Sequence, residues 1–284
     1  MNSNKIYKDW KFWYKLILGI LPFVIELTFM IGQYYQFTRH FIVPEQSKPL
    51  TKNYDQRMIN ILQGYKSNNE HFKIGLYVFT RNFLFLTTLG NAAMGIFYLN
   101  SAFNHKNEGR GKIDNANVAY VVMFIPTFVV IFFNISKVFP SEHLYWYTVL
   151  SWFFEHFFMA TMSTVYIIFF YNKENFIKTN KQKKAVIISC YGLLYGYFIF
   201  WIIVGSIIYA FHPNFTIFGF MSPSGFFPYQ FLDLVSGDKG AAADIGIKGT
   251  IYLQLFITVT VVGVVMYGMD HLYRYAIKKV TKSF

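Results

Sequence analysis

Charged residues are scarce in this sequence. Asp, Glu, Lys and Arg make up 14% of the 284 residues, whereas a soluble domain carries about a quarter. Cysteine is almost absent as well, because Cys190 stands alone. No disulfide can therefore form within the chain, and the position of Cys190 inside an apolar run indicates core packing. These shortages exclude an ordinary soluble domain and a disulfide-stapled one.

Acidic residues are rarer than basic ones, and the formal net charge is +12. The Lys and Arg residues lie in short tracts at the ends of apolar runs, which is how membrane topology is fixed. No basic surface interleaved with aromatic residues is visible, as a nucleic-acid-binding protein would show. Nucleic acid is therefore excluded as a partner, and membrane lipids are expected instead.

The sequence is rich in long apolar runs. Hydrophobic residues make up 54% of the chain, and the mean hydropathy is +0.32. The runs are about 20 residues long, the length that crosses a bilayer. We predict an all-α polytopic membrane protein, a bundle of six transmembrane helices in a single domain over residues 1–284. The predicted spans are 12–32, 74–99, 117–136, 145–170, 185–210 and 249–270.

The ends and the first connection complete this topology. The basic N-terminus leads into an apolar run without a small-residue cleavage site, so the run is predicted to stay as the first span. The distribution of Lys and Arg favours both termini in the cytoplasm, with the chain in the cell membrane. Between the first two spans, apolar residues at helical spacing predict a short helix on the membrane surface: Met58, Ile61, Leu62 and Tyr65.

Polar residues inside the predicted spans mark the candidate site. Thr87 in the second span and His156 in the fourth lie at about the same depth, roughly 17–20 Å from the outer edge at 1.5 Å per residue. A hydroxyl and an imidazole at equal depth can act as nucleophile and general base. Asn91 faces the same side as Thr87 one turn deeper. The alternative is that these residues make hydrogen bonds between helices and nothing more.

Two glutamates belong to the same set of candidates. Glu155 precedes His156, and Glu26 lies in the first span, where it is expected to be protonated, paired with Arg81 or facing water. The His and Glu spacing lacks the i, i+4 histidines of a helical metal site, so neither a metal nor a cofactor is predicted. Thr88 points about 100° away from Thr87 and is the weaker candidate.

Other polar and small residues receive structural interpretations. Arg81 and Asn82 are predicted at the outer end of the second span, with Arg81 extending towards the headgroups. The G-x-x-x-G spacing of Gly192 and Gly196 indicates close helix packing, inside the bundle or at a dimer interface. The aromatic, turn-rich loop at 212–248 is predicted to cap the bundle from outside.

Three stretches together resemble a family of six-helix bacterial membrane proteins. They are Thr87-Thr-Leu-Gly-Asn91 in span two, His156 in span four, and Phe227-Pro-Tyr-Gln-Phe-Leu-Asp233 followed by Gly237 before the last span. This family is distantly related to the androgen-induced-gene type (FAR-17a-like) intramembrane threonine hydrolases. Gly90 and Gln230 stand where the family has Ser and Pro.

The resemblance implies a lipid-ester hydrolase in a bacterial plasma membrane. On this analogy Thr87 is the nucleophile and His156 its general base. Asn91, Glu26, Glu155, Tyr229 and Asp233 are the candidate binding residues around them. The alternative function is non-enzymatic: a membrane protein that binds lipid or a partner, or that transports a small solute.

Overall fold

A computed structural model describes residues 7–39, 56–132, 150–151, 153–172, 180–212, 216 and 251–282. Within these ranges the chain consists of helices joined by turns and loops, with one isolated bridge between Arg110 and Asn115. The helices are α1 (Trp10–Arg39), α2 (Gln56–Ser67), α3 (His71–Phe83), α4 (Leu86–Phe103), α5 (Ala116–Phe132), α6 (Met159–Val165), α7 (Asn180–Phe211) and α8 (Ile251–Lys282). Two π-helical segments, Phe154–Phe158 and Tyr166–Phe170, flank α6.

Among the described residues, two helices are long and apolar enough to cross a membrane: α1 over Trp10–Thr38 and α7 over Lys184–Phe211. A third candidate arises if α3 and α4 are counted as one broken span. Shorter apolar helices cover Asn117–Val129 and Phe154–Phe170, at the predicted third and fourth spans. The helical prediction is therefore confirmed, and the predicted last span corresponds to α8, which continues beyond residue 270 to Lys282.

The predicted continuous helix at 74–99 is wrong, because the chain breaks at Leu84 and Phe85. The N–H groups of these two residues bond only three residues back, to the carbonyls of Arg81 and Asn82. The Asn82 side chain also donates to the Val78 carbonyl at 2.9 Å. Such back-bonding to the i−4 carbonyl competes with the helical ladder and bends helices. The break makes Leu86 the start of a new helix.

The contacts divide the chain into two compact units. The first comprises residues 1–28, 86–194 and 264–284, and the second comprises 29–85 and 195–263. In the first unit, α1 and α4 meet at two glycines. A Cβ atom on Gly19 would lie 2.9 Å from the backbone nitrogen of Leu99, and one on Gly95 would lie 3.0 Å from the Gly19 carbonyl oxygen. Side chains at these positions would keep the two backbones apart.

In the second unit, α2 packs on protein. The predicted helix around Leu62 exists, and Leu62 is buried in an apolar cluster of the protein, whereas the placement of the helix on the membrane surface stays a prediction. The other members of the cluster are Met30, Phe37, Ile74, Tyr77 and Val78, with Tyr65 packed against them.

Arg81 and Asn82 are also in this unit, and both are buried. Arg81 Nη2 donates to Gln33 Oε1 at 2.6 Å, and Asn82 Nδ2 donates to the same oxygen at 2.8 Å. The Arg81 guanidinium also lies 5.7 Å from the centre of the Phe37 ring. The prediction that Arg81 extends to the outer interface is therefore wrong, because Gln33 gives it a buried partner.

The Gly192 and Gly196 positions are exposed on α7. A Cβ atom built on either would meet no atom of the described chain within 4 Å. The prediction that these glycines mediate packing inside the bundle is wrong for the described residues. Cys190, two residues earlier, is buried and free, as expected for a core residue.

Candidate functional site

Thr87 lies in the first turn of α4, because the break at Leu84 and Phe85 starts that helix at Leu86. The first turn of a helix carries backbone N–H groups that no carbonyl of the same helix accepts. It also carries partial positive charge. Thr87, Thr88 and Asn91 are all buried there, with Asn91 one turn further along. The sequence indicated these polar residues but not the helix end beside them.

Glu155 and His156 lie on the first π-helical segment, Phe154–Phe158. The Met159 N–H group donates to the Phe154 carbonyl, five residues back, instead of to the carbonyl four residues back. Single π turns of this kind occur frequently at functional sites. Glu155 is buried and His156 is partly buried. The Ser151 hydroxyl, which sequence analysis did not single out, donates to Glu155 Oε1.

One hydrogen bond ties the two helices together at this level. Asn91 Nδ2 donates to the backbone carbonyl of Glu155 at 3.4 Å. Asn91 is one turn from Thr87, and Glu155 precedes His156. The bond therefore joins the turns that carry the predicted nucleophile and the predicted base. The direct pairing of Thr87 with His156 stays a prediction.

Glu26 of α1 completes the cluster. Its carboxyl interacts electrostatically with the Thr88 hydroxyl and with the Glu155 carboxyl. With 7% of its surface exposed, Glu26 does not face water. Thr88, which was the weaker candidate for the nucleophile because it points away from Thr87, therefore faces the Glu26 carboxyl. We call this set the polar cluster: Glu26, Thr87, Thr88, Asn91, Ser151, Glu155 and His156. All of its members belong to the first unit.

Two predicted binding residues, Tyr229 and Asp233, lie outside the described residues, as does almost all of the loop at 212–248. Among the residues that are described, no group of three or more His, Cys, Asp or Glu side chains is arranged to hold a metal ion. The polar cluster thus contains hydroxyls, an amide, an imidazole and two carboxyls, the groups of acid–base and acyl-transfer chemistry.

A second buried polar network lies in the same unit, around the loop after α4. The Lys15 ammonium, which is fully buried, donates to the Ser101 carbonyl at 2.9 Å and lies 3.4 Å from Glu108 Oε1. The Tyr166 hydroxyl donates to the same Glu108 oxygen at 2.6 Å. This network was not predicted from the sequence, where its visible signal is a lysine close to the start of an apolar run.

Asp114 belongs to the same network through Tyr171, whose hydroxyl donates to Asp114 Oδ1 at 3.0 Å. Burial raises the pKa of the Asp114 carboxyl above its ordinary value. His105 Nε2 and Asp9 Oδ2 also form a hydrogen bond at 2.8 Å, which ties the residue before α1 to the loop after α4. The network holds these helix ends together.

Comparison with known proteins adds no identification. No protein-family model matches the sequence, and neither the curated proteins nor the solved structures give a match. The resemblance to the threonine-hydrolase relatives therefore rests on the three sequence stretches that carry it.

Proposed function

We propose that this chain is a multi-pass protein of the cell membrane that hydrolyses lipid esters. Its six spans would be α1, the broken pair α3 and α4, α5, the helical run containing α6, α7 and α8, with both termini in the cytoplasm. The length and apolar character of α1 and α7 support this topology. So does the position of Lys and Arg at the ends of the apolar runs.

The observation that carries the hydrolytic proposal is the position of Thr87, buried in the first turn of α4. A nucleophile at the start of a helix has backbone N–H donors and partial positive charge beside it. Donors of this kind stabilise the oxyanion of an acyl-transfer intermediate. A site buried among helices also suits a lipid ester, whose acyl chain is itself apolar.

The reaction uses the hydroxyl, the imidazole and water. His156 accepts the Thr87 hydroxyl proton as Oγ1 attacks the ester carbonyl carbon, and the carbonyl electron pair moves onto the oxygen. The intermediate then expels the alcohol, which takes the proton from His156. Water, deprotonated by His156, releases the fatty acid from Thr87 in the same way. The bond between Asn91 and the Glu155 carbonyl holds the two helices in register for this transfer.

A fluorophosphonate probe that labels serine and threonine hydrolases tests this reaction on the full-length protein in detergent. We expect labelling of the wild type and none of Thr87→Val. Thr88→Val is the matched control, one residue away and equally buried, and should still label. His156→Gln should label at least about 100-fold more slowly, as expected for loss of a general base, whereas His271→Gln, exposed on α8, should not change the rate. Undiminished labelling of Thr87→Val contradicts the proposal.

The buried carboxyls favour a second function, transport of a small solute. Ionisable groups inside membrane spans mark ion and solute pathways, and Glu26 and Glu155 interact inside the bundle. In this case a flux assay in proteoliposomes would show uptake that Glu26→Gln abolishes and Thr87→Val leaves intact. Flux that is the same in wild-type and empty liposomes contradicts it.

A further inference from the structure

The polar cluster has more hydrogen-bond acceptors than donors. Three buried oxygens make no hydrogen bond of ordinary geometry within the described part of the chain, although the Thr88 hydroxyl and the Glu155 carboxyl lie near Glu26: they are Glu26 Oε1, Glu26 Oε2 and Asn91 Oδ1. Glu26 is 7% exposed and Asn91 is 1% exposed, so water does not reach these atoms freely. Buried acceptors without partners are destabilising and rare in native proteins. A bound group that offers positive charge or donors would satisfy them.

The charges in the cluster point in the same direction. The Glu26 and Glu155 carboxyls face each other inside the first unit. Two negative charges in a low-dielectric interior repel each other unless a positive charge lies between them. Lys15, a buried cation of the same unit, is engaged elsewhere by Glu108 and the Ser101 carbonyl. A cation bound between the Glu26 and Glu155 carboxyls would neutralise this repulsion.

A proton supplies one donor to one oxygen, whereas a metal cation accepts several oxygen ligands at once. The candidate ligands are all hard oxygen atoms, which suit alkali and alkaline-earth cations better than transition metals. The polar cluster contains two carboxyls, and among the described residues no group of three or more His, Cys, Asp or Glu side chains is arranged to hold a metal ion. Two carboxyls and neutral oxygens favour a small cation of single charge.

The position of the polar cluster along the helices also favours a bound cation. Glu26 is about 24 Å along α1 from Trp10, and the helix is about 45 Å long at 1.5 Å per residue. It is thus near the middle of a helix long enough to cross a membrane. Its partner Glu155 lies on a π segment, where the helix departs from regular α geometry. Membrane proteins coordinate cations at interrupted helices near the bilayer midplane.

We propose that Glu26, Glu155 and Asn91 bind one small alkali cation, represented by sodium, between α1, α4 and the first π segment. Glu26 and Glu155 supply the negative charge, and Asn91 Oδ1 supplies a neutral ligand while its Nδ2 remains bonded to the Glu155 carbonyl. The Thr88 hydroxyl, which faces Glu26, is the fourth oxygen in reach. This inference does not rest on the hydrolytic reaction.

Sodium titration of the full-length protein in detergent tests the proposal. Choline chloride replaces sodium chloride at constant ionic strength and pH, and both the midpoint of thermal unfolding and the heat of binding are measured. We expect a saturable rise of the midpoint with sodium, and a saturable heat in the wild type. Glu26→Gln should lower the apparent sodium affinity at least tenfold. Glu70→Gln, which removes an acidic residue at the start of α3, is the control and should leave it unchanged.

A gain-of-function variant gives a second readout. Asn91→Asp adds a third carboxyl to the cluster, so its preference should shift from sodium towards calcium, which takes more charged oxygen ligands. Thr87→Val should keep the sodium response even though it loses probe labelling, which separates this site from the hydrolytic proposal. A wild type that responds equally to sodium and choline, with no saturable heat, overturns the cation site. Stabilisation by low pH without any sodium effect also overturns it, in favour of a shared proton.

Discussion

Asn91 donates its side-chain amide to the backbone carbonyl of Glu155 at 3.4 Å. This contact joins the first turns of α4 to a π-helical segment of another predicted span. It brings two separate polar stretches of the sequence, Thr87 to Asn91 and Glu155 to His156, into one buried cluster. The proposals for hydrolysis and for cation binding both depend on this juxtaposition.

Gln33 is predicted to stabilise the second unit by accepting two hydrogen bonds on one oxygen. Gln33→Leu removes the acceptor of Arg81 and Asn82, both buried. The loss should lower the free energy of unfolding by about 2 kcal/mol, since a buried charged donor loses a bond. Gln33→Glu keeps the acceptor and adds a charge opposite Arg81, so it should retain at least wild-type stability. Thermal unfolding in detergent measures both, and equal losses in the two variants would contradict the role of Gln33.

Lys15 is predicted to be a stabilising buried cation. Lys15→Met leaves the Glu108 carboxyl buried without its ion-pair partner, which should destabilise by about 3–5 kcal/mol. The double variant Lys15→Met with Glu108→Gln removes both charges and should recover most of that loss. Lys184→Met, at an exposed position, serves as the control and should unfold like the wild type. A double variant as unstable as Lys15→Met would show that the ion pair is not the cause.

Asp114 is predicted to make stability fall as pH rises through the acidic range. Burial raises the pKa of its carboxyl above the ordinary value of 3.8. At pH values between the unfolded and the folded pKa, the folded protein therefore holds a proton that the unfolded chain has released. The folded state therefore loses stability from about pH 4 upwards until the folded-state pKa is passed. Asp114→Asn keeps an acceptor for Tyr171 and should be the more stable protein at pH 7, with the gain disappearing near pH 4. A stability difference that does not change with pH would contradict this account.

Gly19 and Gly192 should respond in opposite ways to substitution by alanine. Gly19→Ala places a Cβ atom 2.9 Å from the Leu99 backbone nitrogen, so α1 and α4 must move apart, at a cost of about 1–3 kcal/mol. Gly192→Ala meets open space and gains helix propensity, up to about 1 kcal/mol. Unfolding midpoints should move in opposite directions. Equal destabilisation by both variants would contradict the open space at Gly192.

Apolar run length was sufficient to predict the helical class and the long helices α1 and α7. It did not predict the break before Leu86, beside which the Asn82 side chain bonds back to Val78, because hydropathy carries no information on such bonds. Nor did it predict the burial of Arg81, whose partner Gln33 is 48 residues away. Thr87, Asn91 and His156 could be predicted from the sequence because they are polar residues at similar depths in predicted spans. The contact of Glu26 with Thr88 and Glu155 could not be predicted, because these residues lie on three separate helical segments and meet only when the helices pack.

The central claim, that Thr87 is the nucleophile of a lipid-ester hydrolase, is tested most directly by locating a covalent adduct. The full-length protein in detergent is treated with a fluorophosphonate lipid analogue, digested and sequenced by mass spectrometry. The account predicts one phosphonylated residue, Thr87, and slower modification in His156→Gln. An adduct on Thr88 or Ser151 in place of Thr87, or no adduct in protein that is shown to be folded, would contradict it.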